Sequence, residues 1–379
     1  MEFIYVNHII MKKKLLTCII CFAVILTCWI LWFLLLSNKA TRKTDWNLHV
    51  LTSIDDKIVG DSMWCGTFQL VWNDMVNEVV KKDVEFNPQL KIVKNLNKQT
   101  FTNKQLSPNS YYSKFWLLTL DLKEEIENWI KEKFNETSDI LSQLDWSDVP
   151  QSDDFYEWKR KKKYWFYAML KKIFKFENVF DQLDNWKFDN KYNNVKYFWI
   201  KWSSSSKLYK QVYVYYYNSD SDFAVALKTK EWEDVILARW IWWNSFMDVY
   251  NNILKKDKKY EWNHYFTEDD YLKVPELKVK TLTEFSELEN KEFFANDWDV
   301  CRIDKALQTI ELKLDKEWWE IKSEAWLLME KTMWISMELP RIEHRYFYFD
   351  KPYVMFLKEA DKDLPYFAAQ ISDITLFQN

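Results

Sequence analysis

The chain has 379 residues, 48% apolar and 29% charged, with a formal net charge of −4. That much apolar mass supports one large domain or two small ones with a real core and excludes an unfolded polar chain. The near-neutral balance, with no segregated basic face, excludes nucleic acid as the main partner.

Lys12, Lys13 and Lys14 precede residues 15–36, a run of 22 without a charge. At 1.5 Å per helical residue it spans about 33 Å, enough to cross a hydrocarbon core as a single-pass transmembrane helix. Positive charge before it predicts a cytoplasmic 1–14 and places the rest of the chain outside the cell membrane. A cleaved signal peptide, or a lipoprotein signal ending at Cys28 after Ile25-Leu26-Thr27, is the alternative, and Met11 is an alternative start. Apolar residues continuing to Leu36 favour the retained anchor.

Residues 37–60 are polar, weakly patterned and read as a linker to a domain over 61–379. Phe68, Val71, Met75 and Val79 fall at spacings of three and four, which predicts an amphipathic helix ending near Lys82. Residues 86–112 carry too weak a period to assign. Leu122, Ile126, Ile130 and Phe134 predict a second helix over 121–141, broken near Asn135-Glu136-Thr137-Ser138. An aromatic and apolar run over 164–176 is followed by a polar, turn-rich stretch to Asn194, after which strands dominate.

Residues 212–217 and 223–227 flank Asn218-Ser219-Asp220, a hairpin signal. A short strand follows over 235–238, then a short helix over 246–254. Residues 272–279 alternate, with Pro275 marking an edge or a bulge. Residues 309–314 alternate again, and 346–357 and 365–371 read as two strands joined by the charged loop 358–363. Between them 315–345 shows no sustained period, and a loop that long in a compact domain is usually functional or disordered. Two helices followed by many strands predict an α+β fold with large antiparallel or mixed β-sheets, packed helices and an N-terminal transmembrane helix.

Cys18, Cys21 and Cys28 fall in the apolar run, which leaves Cys65 and Cys301 outside it and a disulfide between them open. His8, His49, His264 and His344 are scattered without metal-ligand spacing, so no metal and no cofactor is expected. No nucleophile elbow, metal signature or phosphate loop is present, and pairs such as Asp269-Asp270 read as solvated charge, so an enzyme is not expected.

Composition holds one anomaly: 2 glycines beside 23 tryptophans. Ordinary usage predicts roughly 27 glycines at this length, close to the two counts combined. Many tryptophans stand in turn contexts, as in Asp45-Trp46-Asn47, Asp145-Trp146-Ser147, Asn185-Trp186, Trp202-Ser203, Trp262-Asn263 and Asp297-Trp298-Asp299. Those are places where glycine supplies positive φ at no steric cost. Two readings stand: a Trp-rich protein, or one whose UGA codons mean glycine in its source.

Several segments, in order, resemble the serpin family. Residues 127–134, from Glu127-Asn128-Trp129-Ile130 through Ile140-Leu141, are similar to the helix motif I-N-x-W-V-x-x-x-T with its trailing I-x-x-L. Residues 166–176 with Phe180-Asp181 resemble the central strand ending in F-K-x-x-W-x-x-P-F-D, and 223–227 the strand D-L-S-M-x-I-x-L-P. Residues 272–279 are similar to V-x-L-P-K-F-K-I. Residues 348–356 followed by Pro365-Tyr366-Phe367-Ala368 look like F-x-x-x-x-P-F-x-F and its L-F-M-G hairpin.

The resemblance implies that 315–345 is a reactive-centre loop, a bait whose cleavage lets it insert as a new strand and trap a serine or cysteine protease. Its hinge would be Glu317-Trp318-Trp319-Glu320, with Ser323 and Ala325 beyond it. Counting forward from the hinge puts the scissile bond at Thr332 or Met333; counting back from Lys351-Pro352 puts it at Arg341. Arg341 would imply a trypsin-like target, Met333 an elastase or chymotrypsin type. Ile321, Lys322, Leu327 and Leu328 depart from the small residues of inhibitory hinges, and the stretch before Asp121 is short for the family's early helices. Taken with the uncharged run 15–36, the resemblance implies a monomeric, membrane-anchored inhibitor, with a non-inhibitory surface binding or structural protein as the alternative.

Overall fold

The computed structural model describes residues 48–134, 141, 144–154, 161–239, 244–316 and 344–378. In chain order the described residues form β1 (Leu48–Leu51), β2 (Asp61–Cys65), α1 (Thr67–Met75), α2 (Lys91–Leu96), β3 (Tyr111–Leu117), α3 (Leu120–Phe134), β4 (Lys161–Ile173), β5 (Asp181–Phe188), β6 (Tyr192–Ile200), β7 (Val212–Ser219), β8 (Asp222–Lys228) and β9 (Glu233–Arg239). There follow α4 (Phe246–Asp257), β10 (Asp270–Pro275), β11 (Leu277–Glu284), β12 (Glu292–Phe294), β13 (Val300–Leu314), β14 (Arg345–Tyr348), β15 (Tyr353–Glu359) and β16 (Phe367–Ile371).

These strands make three sheets. A seven-stranded sheet runs β1-β2-β16-β15-β9-β8-β7, a four-stranded sheet runs β14-β10-β6-β5, and a five-stranded sheet runs β11-β13-β4-β3 with β12 added on β13. The expected α+β class with mixed sheets and packed helices is what is seen. No helix among the described residues is long and apolar enough to cross a membrane, and the expected span over 15–36 lies outside them.

Local sequence explains the helices. Leu122, Ile126 and Ile130 recur every fourth residue, so α3 lays one apolar stripe on Tyr112, Trp165, Tyr167, Met169 and Leu307. Thr119 Oγ1 accepts the Leu122 backbone N–H at 3.1 Å and caps the first turn. The α1 helix runs on through a π-helical turn, Val76–Val80, and stops where Lys81 turns left-handed (φ 60°). Its Gln69 and Asn73 amides donate to the carbonyls of Leu96 (2.7 Å) and Phe101 (2.8 Å), tying the helix to the stretch that sequence could not assign. Ser245 Oγ caps α4 by accepting the Asp248 N–H.

Both faces of the five-stranded sheet are covered. Phe68, Val71, Trp72 and Met75 of α1 pack with Phe166 and Ala168 behind it, and α3 lies in front. A third core, holding the interior of the seven-stranded sheet and the inner face of the four-stranded one, joins Val225, Leu237, Phe356 and Phe367 to Phe198, Leu272 and Phe347.

Sequence and structure part at four places. The stretch read as a linker carries β1, paired in parallel with β2. The turn-rich stretch before Asn194 contains β5, an edge strand exposed along most of its length and therefore without alternation. The run 272–279 is two strands in two sheets, divided at Pro275. The run 346–357 likewise splits into β14, on the four-stranded sheet, and β15, which forms the expected antiparallel pair with β16. Cys65 and Cys301 are both free and buried, in separate cores, so they form no disulfide. Burial pushes each thiol up to about 11.

Candidate functional site

The middle of the five-stranded sheet is a parallel pair set between antiparallel neighbours. β13 pairs with β4 along the whole of β4, from Val300 opposite Lys161 to Lys313 opposite Ile173, with one slip between Ile303 and Lys305. β3 runs antiparallel to β4, and β11 antiparallel to β13. Parallel strands need a crossover between them. A strand that continued from β13 and turned back would run antiparallel to both β13 and β4 and satisfy the ladder on each side. Within the sheet, the seam is therefore a place where a further strand running antiparallel to both neighbours fits without reversing either.

The chain between β13 and β14 leaves from one end of this seam and returns on another sheet. β13 delivers the chain at Leu314 beside the C-terminal end of β4, where Phe174 N donates to Lys313 O at 3.1 Å. Lys313 and Asp315 form an ion pair at 2.6 Å at the exit. The chain returns at β14, in a different sheet. The expected hinge residues Glu317, Trp318, Trp319, Glu320, Ser323 and Ala325, and the scissile candidates Thr332, Met333 and Arg341, lie outside the described residues.

Inside the seam several charged and polar groups are partnered, while Trp165 Nε1 is buried without a partner among the described residues. Gln308 Nε2, buried on β13, donates to Cys65 O (3.1 Å) and Thr67 Oγ1 (3.0 Å), tying the strand to the start of α1. Lys171 of β4 reaches Glu311 of β13 at 3.2 Å. One residue on, Lys172 turns the other way and pairs with Glu233 at the start of β9, while donating to Ser110 Oγ at 3.1 Å. Glu359, at the end of β15, accepts from Ser107 N, Ser107 Oγ (2.6 Å) and Ser110 Oγ (3.0 Å). These groups bolt the mouth of the seam to the seven-stranded sheet. Burial raises the Glu233 carboxyl above its ordinary value, against the pull of Lys172.

The far end of the loop is held harder than a four-residue strand requires. Arg345, the first residue of β14, donates Nε to Asp270 Oδ1 (2.8 Å) and Nη2 to Asp270 Oδ2 (2.7 Å), a two-pronged pair at a carboxylate with no exposed surface. Its remaining donors reach Tyr260 Oη (3.1 Å), Asn263 O (2.8 Å) and Tyr265 O (2.9 Å). The reading of Asp269-Asp270 as solvated charge is corrected for Asp270, which is buried because Arg345 supplies its counter-charge across 75 residues of chain. Lys273 is similarly enclosed: it donates to Asp350 at 2.9 Å and lies 4.2 Å from the Tyr348 ring centre, and burial lowers its pKa. His264 and His344 spend a ring nitrogen on the carbonyls of Val214 and Asp269.

Sequence reading missed Arg345, Asp270, Lys172, Glu233 and Glu359. The available signal was charge inside otherwise apolar strands, as in Tyr353–Glu359.

No family model matches the chain, and no curated protein does. Among solved structures it is similar to the thermophilic serpin tengpin in its native state, with TM-score 0.52 and 11% identity over 85% of this chain and 92% of that one. Uncleaved ovalbumin gives TM-score 0.48 at 11% identity over 82% and 93%, and Serpin48 of the insect Tenebrio molitor 0.45 at 10% over 83% and 92%. Three sheets in this arrangement and the match to tengpin agree with the order of motifs: the chain has a serpin-like fold, in a divergent form.

Proposed function

We propose that this protein is a protease inhibitor of the serpin type and not an enzyme, anchored by residues 15–36 with its bulk outside the cell membrane, and monomeric. The observation that carries the reading is the closed β4/β13 seam, parallel and strand-ready, with the two ends of the loop on different sheets. A protease cuts the loop near Thr332, Met333 or Arg341. The freed N-terminal arm, led by the hinge at 317–320, enters the seam as an antiparallel strand and carries the attached enzyme with it. Stored strain released by insertion supplies the drive.

The test is incubation of the protein with trypsin and with elastase. A complex that survives SDS, and a melting temperature several degrees higher after cleavage, are expected. Clean cleavage with an unchanged melting temperature overturns the reading. A second reading, a surface binding or structural protein without inhibition, draws on Ile321, Lys322, Leu327 and Leu328, bulky or charged where small residues enter a sheet most easily. Cleavage that raises the melting temperature but leaves no complex favours it.

A further inference from the structure

We infer that Lys172 and Glu233 become joined by a self-formed amide bond, a covalent cross-link between β4 and β9 that does not depend on the loop-insertion reading above. Lys172 Nζ meets the Glu233 carboxylate directly. The two residues belong to different sheets and stand 61 positions apart in the chain. Glu233 is 4% exposed and the Lys172 side chain 16%, so both are largely withdrawn from water. A second buried carboxylate, Glu359, stands behind them. Ser110 Oγ connects it, accepting from Lys172 Nζ at 3.1 Å and donating to Glu359 Oε1 at 3.0 Å. Lys172 Nζ also lies 5.8 Å from the ring centre of Tyr366. The Tyr366 hydroxyl is fully buried without a hydrogen-bond partner among the described residues, and the charge it feels most is the Glu233 carboxylate. An ordinary ion pair uses neither a second carboxylate reached through a hydroxyl nor an idle donor facing the first.

These groups supply each part of a condensation. Within the contact a proton passes from Lys172 to Glu233, whose carboxyl burial already raises, leaving a neutral amine beside a neutral acid. Held in contact, Nζ attacks Glu233 Cδ without the cost of bringing the two together. Tyr366 Oη donates to the oxygen that gains charge in the tetrahedral intermediate. The nitrogen then sheds a proton through Ser110 to Glu359, and Glu359 returns it to the departing hydroxyl. A C–O bond of Glu233 breaks, the Nζ–Cδ bond forms, one water leaves, and Glu359 ends ionised as it began. Lys273 and Asp350 make another buried pair, at 2.9 Å. There the third charge is a cation, Arg239, 3.9 Å from Asp350, which takes up no proton. The bond at Lys172 fixes the C-terminal end of β4, one wall of the seam, to the seven-stranded sheet.

The experiment is mass spectrometry of the full-length folded protein, held a few degrees below melting and then denatured and digested with trypsin. A branched peptide joining residues 172–175 to 231–239, lighter than the two together by one water, is expected. The two peptides recovered only as separate species, cut after Lys172, overturn the bond and leave an ion pair. Lys172→Arg keeps the charge but forms no such amide, and it is expected to melt several degrees lower than wild type because its unfolded chain is no longer closed into a loop. Equal melting temperatures would show that the wild type carries no cross-link. For the relay, Glu359→Gln is expected to form the branched peptide about a hundredfold more slowly over the same hold, and Glu359→Asp to restore part of the rate, with both variants shown to be folded by circular dichroism. Formation at the wild-type rate in Glu359→Gln overturns the role of Glu359. The wild-type digest tests the bond itself whether or not any variant folds.

Discussion

Single residues carry the oddest chemistry of the chain. Both glycines sit where glycine is needed: Gly60 has φ of +60°, and a Cβ on Gly66 would meet the Phe101 ring at 2.5 Å. Trp232 and Trp298 share the left-handed region, at φ of 61° and 66°, and are 82% and 76% exposed. A bulky residue there is a genuine outlier and costs about 1–2 kcal/mol. Buried Trp165 and half-buried Trp199 enclose their indole N–H groups without a partner among the described residues, each a cost of about 1–3 kcal/mol. Others are at ease, as Trp72 is with Asn97 and Trp146 with the Leu141 carbonyl. Peptide mass mapping of the protein from its native source is expected to return glycine at 232 and 298; tryptophan at both ends the recoding idea. In protein made with tryptophan, Trp232→Gly is expected to raise stability by about 1 kcal/mol in urea denaturation, since the exposed ring buries almost nothing.

At the scale of elements, α1 carries a titratable load. Burial, with Glu78 adding, pushes Asp74 up to about 6. A carboxyl whose folded pKa lies above its unfolded value binds its proton more tightly when folded, so stability is gained below that pKa and lost as pH rises through it. Unfolding free energy is therefore expected to fall between about pH 4 and pH 7, by about 1–2 kcal/mol after allowance for solvent screening. Asp74→Asn should flatten that slope in melts taken across the range. An unchanged slope would place the ionised carboxylate in contact with water. The four periodic elements, α1, α3, α4 and the β7–β8 hairpin, were legible because burial of one face writes itself into spacing. β5 was not, because an edge strand exposed on both faces writes nothing.

For the whole molecule the decisive object is the seam between β4 and β13. Insertion would exchange one parallel pairing for two antiparallel ones and lock the centre of the five-stranded sheet. Amide hydrogen exchange over Lys161–Ile173 and Val300–Leu314 is expected to slow at least tenfold after loop cleavage, since local opening of a completed sheet approaches the global free energy. Unchanged or faster exchange would mean that the cut arm stays outside. The sequence alone determined the elements that bury one face, α1, α3, α4 and the β7–β8 hairpin, and their order along the chain, because these follow from local periodicity and turn chemistry. Only the tertiary structure decided which sheet each strand joins, that the runs around Pro275 and Pro352 divide between sheets, and that Arg345 finds Asp270. Those choices depend on partners far apart in the chain, and no local pattern records which distant strand or counter-charge will complete a ladder or offset the burial of a charge.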